Sequence, residues 1–350
     1  MPSVDEHGGW PELIGRLLDR HHLTSSEARA AMTSILDGDA TPAQLIGFVI
    51  ALRAKGESAD ELSGLLDAVL AAATPVPLDS DLRDAAIDIV GTGGDRSHSI
   101  NVSTMAAIIA AGAGVPVCKH GARAASSKSG TADVLEALGV AIELSPEGVR
   151  DCIVEAGMGF CLAAQFHPAF RFAAPARREV GVPTVFNLLG PMANPGRVRR
   201  QVIGVADPGF AERMLQSLRS HGSTAVWVVH GGGLDELSTT GPSTVLALRD
   251  EQIDSFTIDP GDCGIASVPL SELVGGSPQE NAAVIRAVLD GASGPHRDIA
   301  VLNAAAGLVV GGRCADLADG LSLAAESIDS GAASGVLDRL IEVSNAVSAH

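Results

Sequence analysis

Ile87-Asp88-Ile89-Val90-Gly91-Thr92-Gly93-Gly94-Asp95 is the stretch from which the rest of the chain can be read. An apolar run leads straight into a glycine-bearing loop. Two further polar segments follow between apolar ones: Asn101-Val102-Ser103-Thr104, then Lys119-His120-Gly121-Ala122-Arg123-Ala124-Ala125-Ser126-Ser127. An α/β sheet presents a phosphate site in this way, at the ends of its strands. Glycines let backbone N–H groups approach phosphate oxygens closely and make positive φ available. The spacing fits neither the dinucleotide fingerprint nor a P-loop. On its own the loop could equally be a plain tight turn.

Around that stretch the composition is that of a well-filled globular protein. The 350 residues are 46% hydrophobic and 19% charged, with no tyrosine. That length suits one large domain or two unequal ones. The net charge of −18 opposes general nucleic-acid binding, which needs a basic surface. A polyanionic small substrate stays open, given a few placed cations and a divalent metal to bridge it to carboxylates. The apolar run Ala106 to Cys118 is interrupted by Gly112, Gly114 and Pro116 and is too short to span a bilayer. Met1 to Trp10 lacks a basic segment followed by an apolar one, so no signal peptide is expected and the cytoplasm is the expected location. Cys118, Cys152, Cys161, Cys263 and Cys314 show no metal-ligand spacing and read as buried thiols of a reducing compartment.

Residues 11 to about 72 read as helices. Thr24-Ser25-Ser26-Glu27 is a capping box, and Thr41-Pro42 and Ser58 are further starts. Leu45, Ile46, Val49, Ile50 and Leu52 recur at helical spacing, as do Leu62, Leu65, Leu66, Val69 and Leu70. Thr74-Pro75-Val76-Pro77 breaks the pattern and reads as a linker. From Ala86 strands and helices alternate. Strands are expected at Ile87–Val90, Val115–Cys118, Phe160–Ala163, Val202–Val205, Ala225–Val229 and Val245–Leu248. Helices are expected at Val102–Ala111, Ala132–Leu138, from Ser145-Pro146, from His167-Pro168 through Val180, and at Phe210–Ser220, with a helical tail from Gln279. Such alternation predicts a mostly parallel central sheet flanked by helices.

Each polar motif has a chemical reading and a plainer one. Asn101, Ser103 and Thr104 stand at a predicted helix start, where free N–H donors favour an anion, although Asn101 could simply cap the helix. Lys119, placed at a strand end, reads as a phosphate ligand or as a solvated charge. Arg171, Arg177 and Arg178 share one predicted helix: one could fork onto a substrate carboxylate, or all could form a solvated stripe. Asp235-Glu236, after Gly231-Gly232-Gly233-Leu234, could hold Mg²⁺ or be ordinary loop carboxylates.

Taken together and in order, these motifs resemble the anthranilate phosphoribosyltransferase family. The match runs through Gly91-Thr92-Gly93-Gly94-Asp95, Asn101-Val102-Ser103-Thr104, Lys119-His120-Gly121, Ser126-Ser127, Arg177-Arg178-Glu179-Val180-Gly181, Phe186-Asn187-Leu188-Leu189-Gly190-Pro191-Met192-Ala193-Asn194-Pro195 and Asp235-Glu236. The resemblance covers nearly the whole chain. It implies a small N-terminal helical domain (residues 1–75, completed by helices near 168–190) and a larger α/β domain (76–350). It also implies a homodimer formed through the helical part, and dependence on Mg²⁺. Gly91, Gly94, Asp95, Ser99, Asn101, Val102, Ser103, Thr104, Lys119, Ser126, Ser127 and Thr131 would then hold 5-phosphoribosyl 1-diphosphate. Gly91, Ala122 and Arg177 would meet anthranilate, and Ser103, Asp235 and Glu236 would hold the metal. No nucleic acid or membrane partner is implied.

One departure stands out. The family's lysine loop usually reads Lys-His-Gly-Asn-Arg, and here Ala122 takes the place of the asparagine that meets the aromatic substrate near its amine. Losing one neutral hydrogen bond costs about 0.5–1.5 kcal/mol, so anthranilate would be held less tightly, or a related aminobenzoate used. The loop before Leu234 also carries glycines where the family often has acidic residues. A pyrimidine nucleoside phosphorylase and a nucleic-acid-binding relative of the same architecture are the competing readings. No residue stands out as a general base; His120 and His167 are candidates that read better as structural.

Overall fold

The computed structural model describes residues 3–95, 97–124 and 128–348. Four helices open the chain: α1 (Gly9–Leu18), α2 (Ser25–Asp37), α3 (Pro42–Lys55) and α4 (Ala59–Ala72). Their starts are chemical. Thr24 with Glu27, Thr41 with Gln44, and Ser58 with Glu61 each form a reciprocal capping box that satisfies orphan N–H donors. The short α5 (Ser80–Ala85) then leads into β1 (Ile87–Gly91), α6 (Val102–Gly112), β2 (Val117–Gly121), α7 (Thr131–Leu138), α8 (Pro146–Ala156) and β3 (Met158–Leu162). Next come α9 (Ala163–Phe166), α10 (Ala174–Val180), α11 (Val185–Met192), β4 (Arg200–Gly204), α12 (Ala211–Ser220), β5 (Ala225–Gly231), β6 (Ser243–Arg249) and β7 (Gln252–Ile258). Four helices close the chain: α13 (Pro278–Leu289), α14 (Pro295–Val310), α15 (Leu317–Asp329) and α16 (Ala332–Ser348).

Among the described residues seven strands form one sheet in the order β3-β2-β1-β4-β5-β6-β7. The five strands β1 to β5 pair in parallel, and β6 and β7 join antiparallel. Side chains alternate between two cores, one on each face of the sheet. Ile87, Ile89 and Val202 join α6, α14 and α16 on one face. Ile203, Val205, Val226, Val228 and Leu248 join α1 to α4, α11 and α12 on the other. The chain runs outward from β1 through β2 to β3, then returns to the far side of β1 as β4. The strand order therefore reverses between β1 and β4, which is where an open α/β sheet leaves a crevice at its carboxyl ends.

Several expectations are corrected. The segment from His167 to Val180 is not one helix. A 3₁₀ turn at Pro168–Phe172 precedes α10, because Pro175 has no N–H to give a preceding turn and is best placed in a first helical turn. Lys119 is not at a strand end; it lies inside β2 and is 1% exposed. Asn101 makes no capping bond to α6. Strand β7 is additional to the six expected strands. It is an exposed edge strand without an apolar run, and its hairpin turns at Asp250 and Glu251, both at positive φ, rather than at an Asn-Gly or Asp-Gly pair.

Candidate functional site

The glycine loop, the start of α6 and the Asp235-Glu236 pair converge at the β1–β4 crevice. Gly91 ends β1 and Gly204 ends β4, paired in register. The loop after β5 folds back over both. A Cβ on Gly91 would stand 2.2 Å from Asp235 Oδ2, and one on Gly204 would stand 1.6 Å from the Asp235 carbonyl oxygen. Glycine at these strand ends is thus what admits the carboxylate. Gly93 and Gly94 are at positive φ, and the Gly93 N–H donates to Asp235 Oδ2 at 2.6 Å. Asp95 accepts from the Ser97 N–H and hydroxyl at 3.0 and 2.8 Å, and Ser97 Oγ donates to Ser99 Oγ at 3.2 Å.

Beneath this loop lies a buried lattice of charge. Lys119 Nζ donates to the Ile89 carbonyl and, at 3.3 Å, to Ser103 Oγ. Burial pushes the Lys119 ammonium down, while Asp88 and Glu236 support its charge. Asp88 is fully buried and held up at about 6 by burial, with Lys119, Asn194 and the His120 N–H opposing that. Asn194 Nδ2 donates to Asp88 Oδ2 at 2.8 Å and to the Cys118 carbonyl at 2.8 Å. Burial also pushes Asp235 up to about 7, with Asp95 adding like charge and a hydrogen bond. Glu236 is raised well above its usual range by burial and Asp235, against Lys119 and the Ser103 N–H.

Val102 and Ser103 form the first turn of α6, with Ser103 against both Lys119 and Glu236. Thr104 is buried, and its hydroxyl has no hydrogen-bond partner among the described residues. Asn101 is held from outside its helix: its Oδ1 accepts from Asn281 Nδ2 at 2.9 Å, and its Nδ2 donates to the Ser129 carbonyl at 3.3 Å. Thr131 opens α7 and packs over Gly121 at the end of β2. Ala122 is exposed in the same loop, its carbonyl accepting from the Ala132 N–H at 3.2 Å. Ser126 and Ser127 lie outside the described residues.

Arg177, on α10, is reached by a line of rings. His120 and His167 stand 5.0 Å apart, His167 stacks on Phe170 at 5.1 Å, and Phe170 meets Phe186 edge-on at 5.5 Å. The Arg177 guanidinium lies over Phe186 at 4.6 Å. No carboxylate of the described residues pairs with it, whereas Arg171 and Arg178 are exposed. Burial drives both histidines toward the neutral form, His167 to about 4. His120 Nδ1 faces the Gly190 carbonyl at 3.1 Å, and the Nε2 atoms of both rings are buried without a partner among the described residues. These rings suit the walls of an aromatic site better than the task of taking up a proton. Asp88, Asn194 and Asn281 escaped sequence reasoning. Asp88 gave a signal, a charged residue inside an apolar strand; Asn194 was visible only as part of the Phe186–Pro195 run, and Asn281 gave none.

Comparison with known proteins agrees with this geometry. The family described as "Glycosyl transferase family, a/b domain" matches residues 83–334, and "Glycosyl transferase family, helical bundle domain" matches residues 11–73. An anthranilate phosphoribosyltransferase of Rhizobium meliloti is 50% identical over 333 residues, 95% of this chain and 98% of the relative. The chain belongs to the anthranilate phosphoribosyltransferase family. The crystal structure of the Thermus thermophilus anthranilate phosphoribosyltransferase superposes with a TM-score of 0.89 at 40% identity, covering 95% of this chain and 99% of that one. The Saccharomyces cerevisiae anthranilate phosphoribosyltransferase in complex with PRPP and Mg superposes with a TM-score of 0.87 at 30% identity, covering 96% and 98%.

The donor set fits the magnesium of this family. Among the described residues no three His, Cys, Asp or Glu side chains form a closed metal cage. Mg²⁺ does not ask for one, since it binds through one or two carboxylates and completes its shell with water and substrate phosphate. Two adjacent carboxylates held above their usual range by burial, Asp235 also by Asp95 and Glu236 also by Asp235, with the Ser103 hydroxyl nearby, are a set that a hard cation would relieve.

Proposed function

We propose that this chain transfers the 5-phosphoribosyl group from 5-phosphoribosyl 1-diphosphate to anthranilate, releasing diphosphate and giving N-(5-phosphoribosyl)anthranilate, a step of tryptophan biosynthesis. The observation that carries this reading is the meeting, at one topological switch point, of the Gly91–Asp95 loop, the first turn of α6, Lys119 and the Asp235-Glu236 pair. The proposed ligands of the sugar diphosphate are Gly91, Gly94, Asp95, Ser99, Asn101, Val102, Ser103, Thr104, Lys119, Ser126, Ser127 and Thr131. Ser103, Asp235 and Glu236 would hold Mg²⁺, which neutralises charge on the diphosphate. Gly91, Ala122 and Arg177 would face anthranilate.

The amine nitrogen bonds to the anomeric carbon as the bond from that carbon to diphosphate breaks, and the proton left on nitrogen passes to water. An aromatic amine is already unprotonated at neutral pH, so no strong base is needed, in keeping with two histidines held neutral by burial. The chain's own work is positioning and charge stabilisation. Loop amides and the α6 N-terminus bind the anion, Lys119 places a fixed cation beneath it, and Arg177 can fork onto the acceptor's carboxylate.

The cytoplasm is the proposed location, supported by five cysteines that are all free thiols. No helix among the described residues is long and apolar enough to cross a membrane. We further propose a homodimer through the helical domain of residues 1–75 and the helices near 168–190, with residues 76–350 as the catalytic domain. The test is an assay with 5-phosphoribosyl 1-diphosphate, Mg²⁺ and a panel of aminobenzoates, read by loss of acceptor fluorescence. Anthranilate should be the best acceptor. Preference for another aminobenzoate, or phosphorolysis of thymidine or uridine, would overturn the assignment.

A further inference from the structure

A cavity of about 390 Å³ opens at the opposite end of the sheet from the switch point, at the amino ends of β4 and β5. Its wall is shared between the helical bundle, through α2 and α4, and the α/β domain, through α5, the approach to β4 and the end of α12. The rim is cationic. Arg29, Arg83, Arg197 and Arg199 line it against a single lining carboxylate, Asp67, in a chain whose net charge is −18. The floor is apolar, formed by Leu66, Leu70, Met192 and Leu218.

The guanidiniums are underused. Arg29 reaches Asp67 only at 3.7 Å, and its Nε has no hydrogen-bond partner among the described residues. Arg199 reaches Asp84 at 3.5 Å, and Arg83 spends its Nε on the same carboxylate at 3.2 Å. Arg197 donates one Nη2 hydrogen bond, to the Leu70 carbonyl at 3.1 Å. Each guanidinium carries five N–H donors in a fork that matches acid groups. Asp67 is further occupied by His221 Nε2 at 3.2 Å.

We propose that this cavity is a second ligand site, distinct from the catalytic crevice, for a small organic anion with two acid groups and an apolar body. The acid groups would take the arginine rim and the body would lie on the leucine and methionine floor. The volume falls within the range of about 300–1,000 Å³ typical of small-molecule sites. The ligand would touch both domains at once, so its binding stabilises their union. It would also sit on β4, which runs from Gln201 in the cavity wall to Gly204 against Asp235, a strand distance of roughly 10 Å.

Naphthalene-1,5-disulfonate is a suitable probe. It is titrated calorimetrically into the full-length protein with the catalytic crevice filled by 5-phosphoribosyl 1-diphosphate and Mg²⁺, and the melting temperature is followed in parallel. The expected result is saturable binding of one probe per chain with a rise in melting temperature. Arg83→Gln with Arg199→Gln should weaken binding about tenfold or more, and Arg150→Gln, on α8 beside β3 and away from the cavity lining, should bind as the parent does. Should the double variant not fold by circular dichroism, Arg29→Gln alone decides, with the same loss expected. No saturable heat in the parent, parent-like binding by the folded rim variant, or an equal loss in Arg150→Gln would overturn the proposal.

Discussion

The Gly93 N–H donates to Asp235 Oδ2 at 2.6 Å across 142 positions of sequence. That bond joins the loop after β1 to the loop after β5 and sets the distance between the site's main-chain donors and its carboxylates. It forms because the strand ends beneath it are glycines.

Gly91→Ala tests this seat. The added methyl would stand 2.2 Å from Asp235 Oδ2, the end of a side chain that can swing away. The fold should survive while the carboxylate leaves its position. A misplacement of this size can cost on the order of a hundredfold in rate, so kcat/KM for 5-phosphoribosyl 1-diphosphate should fall by that order and the Mg²⁺ needed for half-maximal rate should rise. Unchanged kinetics would show that the carboxylate's position does not matter.

Ala122→Asn restores a donor and an acceptor to the loop beside the acceptor site. If one neutral hydrogen bond worth about 0.5–1.5 kcal/mol is regained, KM for anthranilate should drop roughly 2- to 12-fold. Steady-state rates with varied anthranilate measure this, and an unaltered KM counts against Ala122 as a site residue.

His167 gives the fold a pH dependence of known sign. Burial lowers its pKa to about 4, below the ordinary 6.5. The unfolded chain therefore binds the extra proton first, and the stability this residue supports at neutral pH is lost as pH falls from about 6.5 toward 4. In His167→Gln that loss should be absent. Melting curves of parent and variant from pH 7 to pH 4 should show the parent declining more steeply; parallel decline would contradict the burial argument.

Glu61 ties the helical bundle together. It is fully buried, accepts from the Leu23 and Ser58 N–H groups at 2.9 and 2.7 Å, and pairs with the Lys55 ammonium at 2.7 Å. Glu61→Ala strands that ammonium and should cost about 3–5 kcal/mol by denaturant unfolding. A loss below about 1 kcal/mol would show that the pair is solvated.

What could be read from the sequence was whatever is written locally. Thr24, Thr41 and Ser58 announce helices because their partners lie three residues on. The Gly91–Asp95 loop announces itself because glycines follow an apolar strand. Asn194 and Asn281 carry no such mark: their partners Asp88 and Asn101 lie 106 and 180 positions away. Lys119 was placed a few residues too far along its strand, since the burial that makes it exceptional is visible only once Asp88 and Glu236 surround it. The line from His120 to Arg177 depends on four elements meeting, β2, the 3₁₀ turn, α10 and α11, which no spacing within one of them predicts.

The most direct test is calorimetric titration of 5-phosphoribosyl 1-diphosphate into the protein with Mg²⁺ present, repeated with chelator and with Asp235→Asn/Glu236→Gln. One saturable binding event per chain is expected for the parent with Mg²⁺, strongly weakened in both other cases. Equal binding with and without metal and carboxylates would contradict the account.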